Sequence, residues 1–79
     1  MSYLFEVSRE FDKRFDYQWL EGNRCKEDLL TVDFVGGHQV FIKPDGTATG
    51  SAPKAVKKML LFIFKKHKIK AKLEWEVFF

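Results

Sequence analysis

From Ile69 to Phe79 the chain alternates: Ile69, Ala71, Leu73, Trp75, Val77 and Phe79 take the odd positions, and Lys70, Lys72, Glu74 and Glu76 take even ones. Successive side chains of a strand point to opposite faces, so this pattern predicts a long, half-buried C-terminal strand over residues 69–79. The stretch before it has a different period. At about 100° per residue, Val56, Met59, Leu60 and Ile63 share one side of a helix spanning about residues 52–67. Lys54, Lys57, Lys58, Lys65 and Lys68 share the opposite side, with Leu61 inside the lysine stripe. Ser51 is placed to cap this helix, since its hydroxyl can accept from a first-turn N–H, and Pro53 fits the first turn because it has no N–H to leave unsatisfied.

Upstream, Tyr3, Phe5 and Val7 alternate with polar neighbours and predict a first strand. Phe15, Tyr17 and Trp19 predict a second, ending at Gly22-Asn23, against a competing amphipathic helix over residues 8–20 suggested by Phe11, Phe15 and Trp19 at spacings of four. Gly22 to Asp28 reads as a polar loop. Leu29 to Val35 and Gln39 to Lys43 then form a β-hairpin. A two-residue loop at Gly36-Gly37 would mix polar and apolar side chains on each face. A three-residue loop, Gly36-Gly37-His38, aligns Leu30, Val32 and Phe34 with Val40 and Ile42, and puts His38 at the turn tip. Lys43-Pro44-Asp45-Gly46 is a turn, because proline presets φ, aspartate bonds the backbone and glycine takes positive φ. Thr47 to Gly50 adds a short strand.

The expected fold is α+β: a single domain over residues 1–79, with a mainly antiparallel sheet of four to five strands. One long helix packs on one face, and the other face is left partly open or covered by a second copy in a homodimer. At 79 residues the chain can bury only roughly 60–65% of the surface its unfolded form exposes. Nine phenylalanines offset this with a large buried area per residue. Cys25 has no partner for a disulfide and suits a reduced, cytoplasmic setting. No basic segment precedes an apolar run at the N-terminus, so no signal peptide is expected. The apolar run Met59 to Phe64 is far below the ~20 residues of a membrane span, so no membrane partner is expected either.

Charge divides the chain. Residues 1–46 hold six basic and nine acidic side chains, a net −3, whereas residues 47–79 hold eight lysines against Glu74 and Glu76, a net +6, which together give the formal +3. Catalytic chemistry has little to work with. Gly36-Gly37 and Gly46…Gly50 lack the spacing of a phosphate-cradling loop. Asp12 with Asp16, and Glu74 with Glu76, read as solvated ion-pair surface. His38 falls short of the three or four convergent ligands a metal needs, and His67, near the helix end, favours the dipole there and needs no further role. The expectation is a non-enzymatic binding protein with no cofactor and no metal.

Two functions fit such a chain. In the first, Lys54, Lys57, Lys58, Lys65, Lys68, Lys70 and Lys72 contact the backbone phosphates of DNA or RNA. Sequence preference should be slight, since lysines offer point charges where base reading favours bidentate geometry. The string Gly50-Ser51-Ala52-Pro53-Lys54-Ala55-Val56-Lys57-Lys58 resembles the start of the last helix in double-stranded RNA-binding domains. That resemblance implies a phosphate-facing role for Lys54, Lys57 and Lys58. The family opens and ends with a helix, whereas here a strand is expected at each end. In the second reading the protein is a small adaptor or inhibitor, of the virus-encoded type, covering a surface of a larger acidic protein. Leu61, Phe78 and Leu4 would then be its apolar anchors.

Overall fold

In the computed structural model, which describes residues 2–77, the chain opens with helix α1 (Leu4–Arg14). Strands β1 (Leu20–Cys25), β2 (Leu30–Phe34), β3 (His38–Ile42) and β4 (Thr47–Ala52) follow, then helix α2 (Lys54–Lys66) and strand β5 (Lys72–Val77). The strands form one sheet in the order β1-β2-β3-β4-β5. Pairing is antiparallel from β1 to β4, and α2 carries the chain across to a parallel β4–β5 pair. This is the expected α+β architecture with a second helix added.

That helix replaces the expected first strand. The alternation of Tyr3, Phe5 and Val7 is overridden by Leu4, Val7 and Phe11, whose spacing of three and four builds a helical stripe, and all three are fully buried. The competing helix over residues 8–20 shares only Ser8 to Arg14 with α1. Phe15 is already extended, and Asp16 organises a turn in place of a second strand. Its carbonyl accepts from the N–H groups of Trp19 and Leu20, and its carboxylate from that of Gln18. The polar stretch read as a loop from Gly22 forms most of β1, with a bulge between Leu20 and Gly22. Asn23 explains why so polar a strand is held. Its amide donates to the Ser8 carbonyl at 2.8 Å, and its carbonyl accepts from the Ser8 hydroxyl at 2.8 Å, pinning α1 to β1.

The hairpin keeps the expected inward face with its loop displaced by one residue. Leu30 pairs with Ile42, Val32 with Val40 and Phe34 with His38, so the turn is Val35-Gly36-Gly37, with φ of +89° and +80° at the two glycines. His38 is therefore a strand residue, its Nδ1 2.8 Å from the Ser51 hydroxyl, and is not at the tip. Ser51 itself lies in β4, and Pro53 is the N-cap of α2. Gly50, at φ +121°, could not be replaced without a collision, since a Cβ there would meet the Gln39 carbonyl.

The last strand is shorter than its alternation suggested. Ile69 to Ala71 form a connection, Lys72–Val77 pair with β4, and Phe78 and Phe79 lie outside the described residues. Leu73 and Trp75 turn toward the core but stay half-buried, since β5 is an edge strand.

One core joins all the layers. Leu4, Val7 and Phe11 of α1 meet Val56, Met59, Leu60, Ile63 and Phe64 of α2 and the inward residues of β2, β3 and β4. Both helices thus cover the same side of the sheet. Phe11, Phe15 and Phe34 form an aromatic triangle with ring centroids 5.7–6.1 Å apart. Thr31, Asp33, Gln39, Phe41, Thr49 and Glu74 alternate with the inward residues on the uncovered face, where Asp33 accepts from Arg24 and Gln39, both at 2.6 Å. Hydrogen bonding from Arg24 holds the Asp33 carboxyl below its ordinary range.

Candidate nucleic-acid interface

Residues 54–66 become a helix because lysine, alanine, methionine and leucine are strong helix formers and their apolar members fall on one stripe. Lys65 and Lys66 lie in the last turn, where positive charge favours the dipole, and α2 holds no acidic residue at all. Its C-terminus closes with two reversed hydrogen bonds, Ile69 N–H to the Phe64 carbonyl at 2.8 Å and Lys68 N–H to the Lys65 carbonyl at 3.1 Å. Lys68 takes the left-handed position between them, at φ +58°, which glycine usually fills.

With Val56, Met59, Leu60, Ile63 and Phe64 inside, the outward side of α2 consists of Lys54, Ala55, Lys57, Lys58, Leu61, Phe62, Lys65 and Lys66. Lys54, Lys57, Lys58 and Lys65 are all exposed, and among the described residues none of them is in an ion pair. Two carboxylates of α1 are engaged elsewhere. Glu10 pairs with Lys13 and Arg14, and Glu6 with Lys66 at 3.2 Å and with His67 Nε2 at 2.9 Å. The hydrogen bond from His67, aided by Lys66, holds the Glu6 carboxyl below its ordinary range. His67, expected only to favour the helix dipole, also ties α2 to α1 by stacking on Tyr3 with centroids 5.3 Å apart.

The seven lysines separate into groups. Lys54, Lys57, Lys58 and Lys65 form the helix face. Lys65, Lys68 and Lys70 ring a shallow depression of about 510 Å³ with Leu61, Ile69 and Ala71 among its apolar lining. Lys72 stands apart, paired with Thr47 across the sheet and in the field of Asp45, whose carboxyl is held low first by the Thr47 N–H.

Among the described residues the apolar anchors of the adaptor reading do not assemble. Leu4 is buried in the core and cannot be a surface anchor, because the α1 stripe turns it inward. Phe78 lies outside the described residues, and Leu61 alone is exposed, within the lysine face. The ring that sequence reasoning missed is Phe62, 69% exposed. Its type and its place in the run Met59 to Phe64 suggest core, yet the helical count that exposes Leu61 also exposes its neighbour.

A second missed feature is a cleft of about 280 Å³ at the start of α2, walled by Phe15, Trp19, Pro53 and Ala55 and rimmed by Arg14 and Lys54. A further depression, of about 650 Å³, holds Tyr3, Glu27 and His67 among its lining, but the Tyr3 hydroxyl is bonded to the Pro44 carbonyl and His67 to Glu6. The Cys25 thiol is pushed up by burial, away from the thiolate a nucleophile needs. No group of three or more His, Cys, Asp or Glu side chains suited to a metal occurs among the described residues. No helix among them is long and apolar enough to cross a membrane.

No protein-family model matches the chain, and neither a curated protein nor a solved structure does. The chain does open with a helix, as the double-stranded RNA-binding domains do, but β5 still follows the last helix.

Proposed function

We propose that the protein binds the phosphate backbone of nucleic acid through the exposed side of α2, with little dependence on base sequence, and works in the cytoplasm. The observation that carries this reading is the run of Lys54, Lys57, Lys58 and Lys65 along one side of a helix with no acidic residue, none of them neutralised by an ion pair among the described residues. Eleven residues of helix at 1.5 Å each spread these charges over about 16 Å, room for several phosphates. Uncompensated lysines on an acid-free helix favour a polyanion because each phosphate contact releases condensed counterions.

The test is equilibrium binding of labelled duplex and single-stranded oligonucleotides to the purified protein and to a Lys57→Glu, Lys58→Glu double variant. Both side chains are exposed, so the double variant should keep its circular dichroism and melting temperature while losing at least ~100-fold in affinity. Retention of affinity within about twofold would remove α2 from the interface.

A further inference from the structure

The core side of α2 is complete without Phe62. Val56, Met59, Leu60, Ile63 and Phe64 are each at most 2% exposed, whereas the Phe62 ring is 69% exposed. Its outward neighbours one helical turn away are Lys58, Lys65 and Lys66, the last of them paired with Glu6. Seven residues earlier on the same side, about 10.5 Å along the axis, Ala55 forms part of the wall of the cleft that holds Phe15 and Trp19. Trp19 is 40% exposed, and Lys54 and Arg14 rim that cleft. A path along this side of α2 therefore meets cations and an aromatic cleft, then Lys58, then an aromatic ring, then Lys65.

We infer that the ligand of this face is a single strand of nucleic acid, whose phosphates meet Lys54, Lys57, Lys58 and Lys65 while its bases stack on Phe62 and on Trp19 in the cleft. The inference rests on the phosphate-binding reading above and adds the ligand class. Phosphates alone would need only the lysines. A duplex keeps the faces of its bases in its own stack and offers a protein phosphates and groove edges, which gives the exposed Phe62 ring between lysines nothing to stack on. A single strand presents base faces and phosphates in alternation, and stacking on aromatic side chains tolerates any base sequence because every base has a π-face.

The experiment compares fluorescence-anisotropy titrations of the full chain with four labelled probes: oligothymidylate, oligouridylate, an abasic phosphodiester of equal length, and a hairpin duplex. Either single strand should bind about fivefold or more tighter than the abasic strand and the duplex. Phe62→Ala, at an exposed site, should weaken the single strands by roughly 5- to 150-fold, leave the abasic strand and duplex unchanged, and be rescued by Phe62→Tyr. Trp19→Leu, with its fold checked by circular dichroism, should show the same selective loss. Equal affinity for all four probes, or no effect of Phe62→Ala, would overturn the stacking inference while leaving the phosphate reading intact. Absence of salt-sensitive binding to every probe would overturn both.

Discussion

Replacing Phe11 with alanine measures how much of the fold depends on α1. Phe11 is fully buried, and its ring lies 5.9 Å from that of Phe15 and 6.1 Å from that of Phe34. Truncating a buried phenylalanine removes its transfer free energy and leaves a cavity, at a cost of ~3–5 kcal/mol. A chain of this size is stabilised by about 4–12 kcal/mol in total, at ~0.05–0.15 kcal/mol per residue. Phe11→Ala should therefore remove at least a quarter of the stability and lower the melting temperature by roughly 12–40 °C, at ~4–8 °C per kcal/mol. Urea titration is the assay, because an unchanged slope with a shifted midpoint separates lost stability from a changed denatured state. A double-mutant cycle with Phe34→Leu should return a coupling of about 0.5–1.5 kcal/mol for the edge-to-face pair. A loss below ~1 kcal/mol would refute the docking of α1, since an average point substitution costs that much.

Two further outcomes follow from local geometry. Lys68→Gly should raise stability by ~1 kcal/mol, seen as a higher melting temperature, because lysine bears a left-handed backbone cost that glycine avoids. The Tyr3 hydroxyl, which donates to the Pro44 carbonyl at 2.9 Å, is pushed up to about 12 by burial and then by the Asp45 charge. The folded state thus favours the neutral phenol, so its contribution is fully present below pH 10 and lost as pH rises from 10 to about 12. Tyr3→Phe should flatten that alkaline limb in a stability-against-pH series.

The hairpin, the inward stripe of α2 and the phase of β5 were legible in the sequence because each is set by local periodicity and by burial on one side. The N-terminal third was not. Tyr3, Phe5 and Val7 alternate like a strand, but Leu4, Val7 and Phe11 also make a helical stripe, and only the presence of α2 and the sheet decides which set is buried. The polar residues of β1 carry no strand signal, and their place is fixed by Asn23 reaching Ser8, fifteen residues away in the chain. The lysine face was visible by counting. Phe62 was hidden by its own chemistry, since an aromatic residue inside an apolar run suggests core until the packing shows that side already filled. The cleft at Trp19 could not be read at all, because it joins the end of α1 to the start of α2, about forty residues apart.

The salt dependence of nucleic-acid affinity tests the central claim most directly. Four lysines engaging four phosphates should give a slope of log affinity against log salt near −2.8 for a single strand, or near −3.6 for a duplex. Converting Lys57 and Lys58 to glutamine should make that slope shallower by about 1.4–1.8. A slope shallower than about −1, or one unmoved by the double substitution, would contradict a phosphate-binding face on α2.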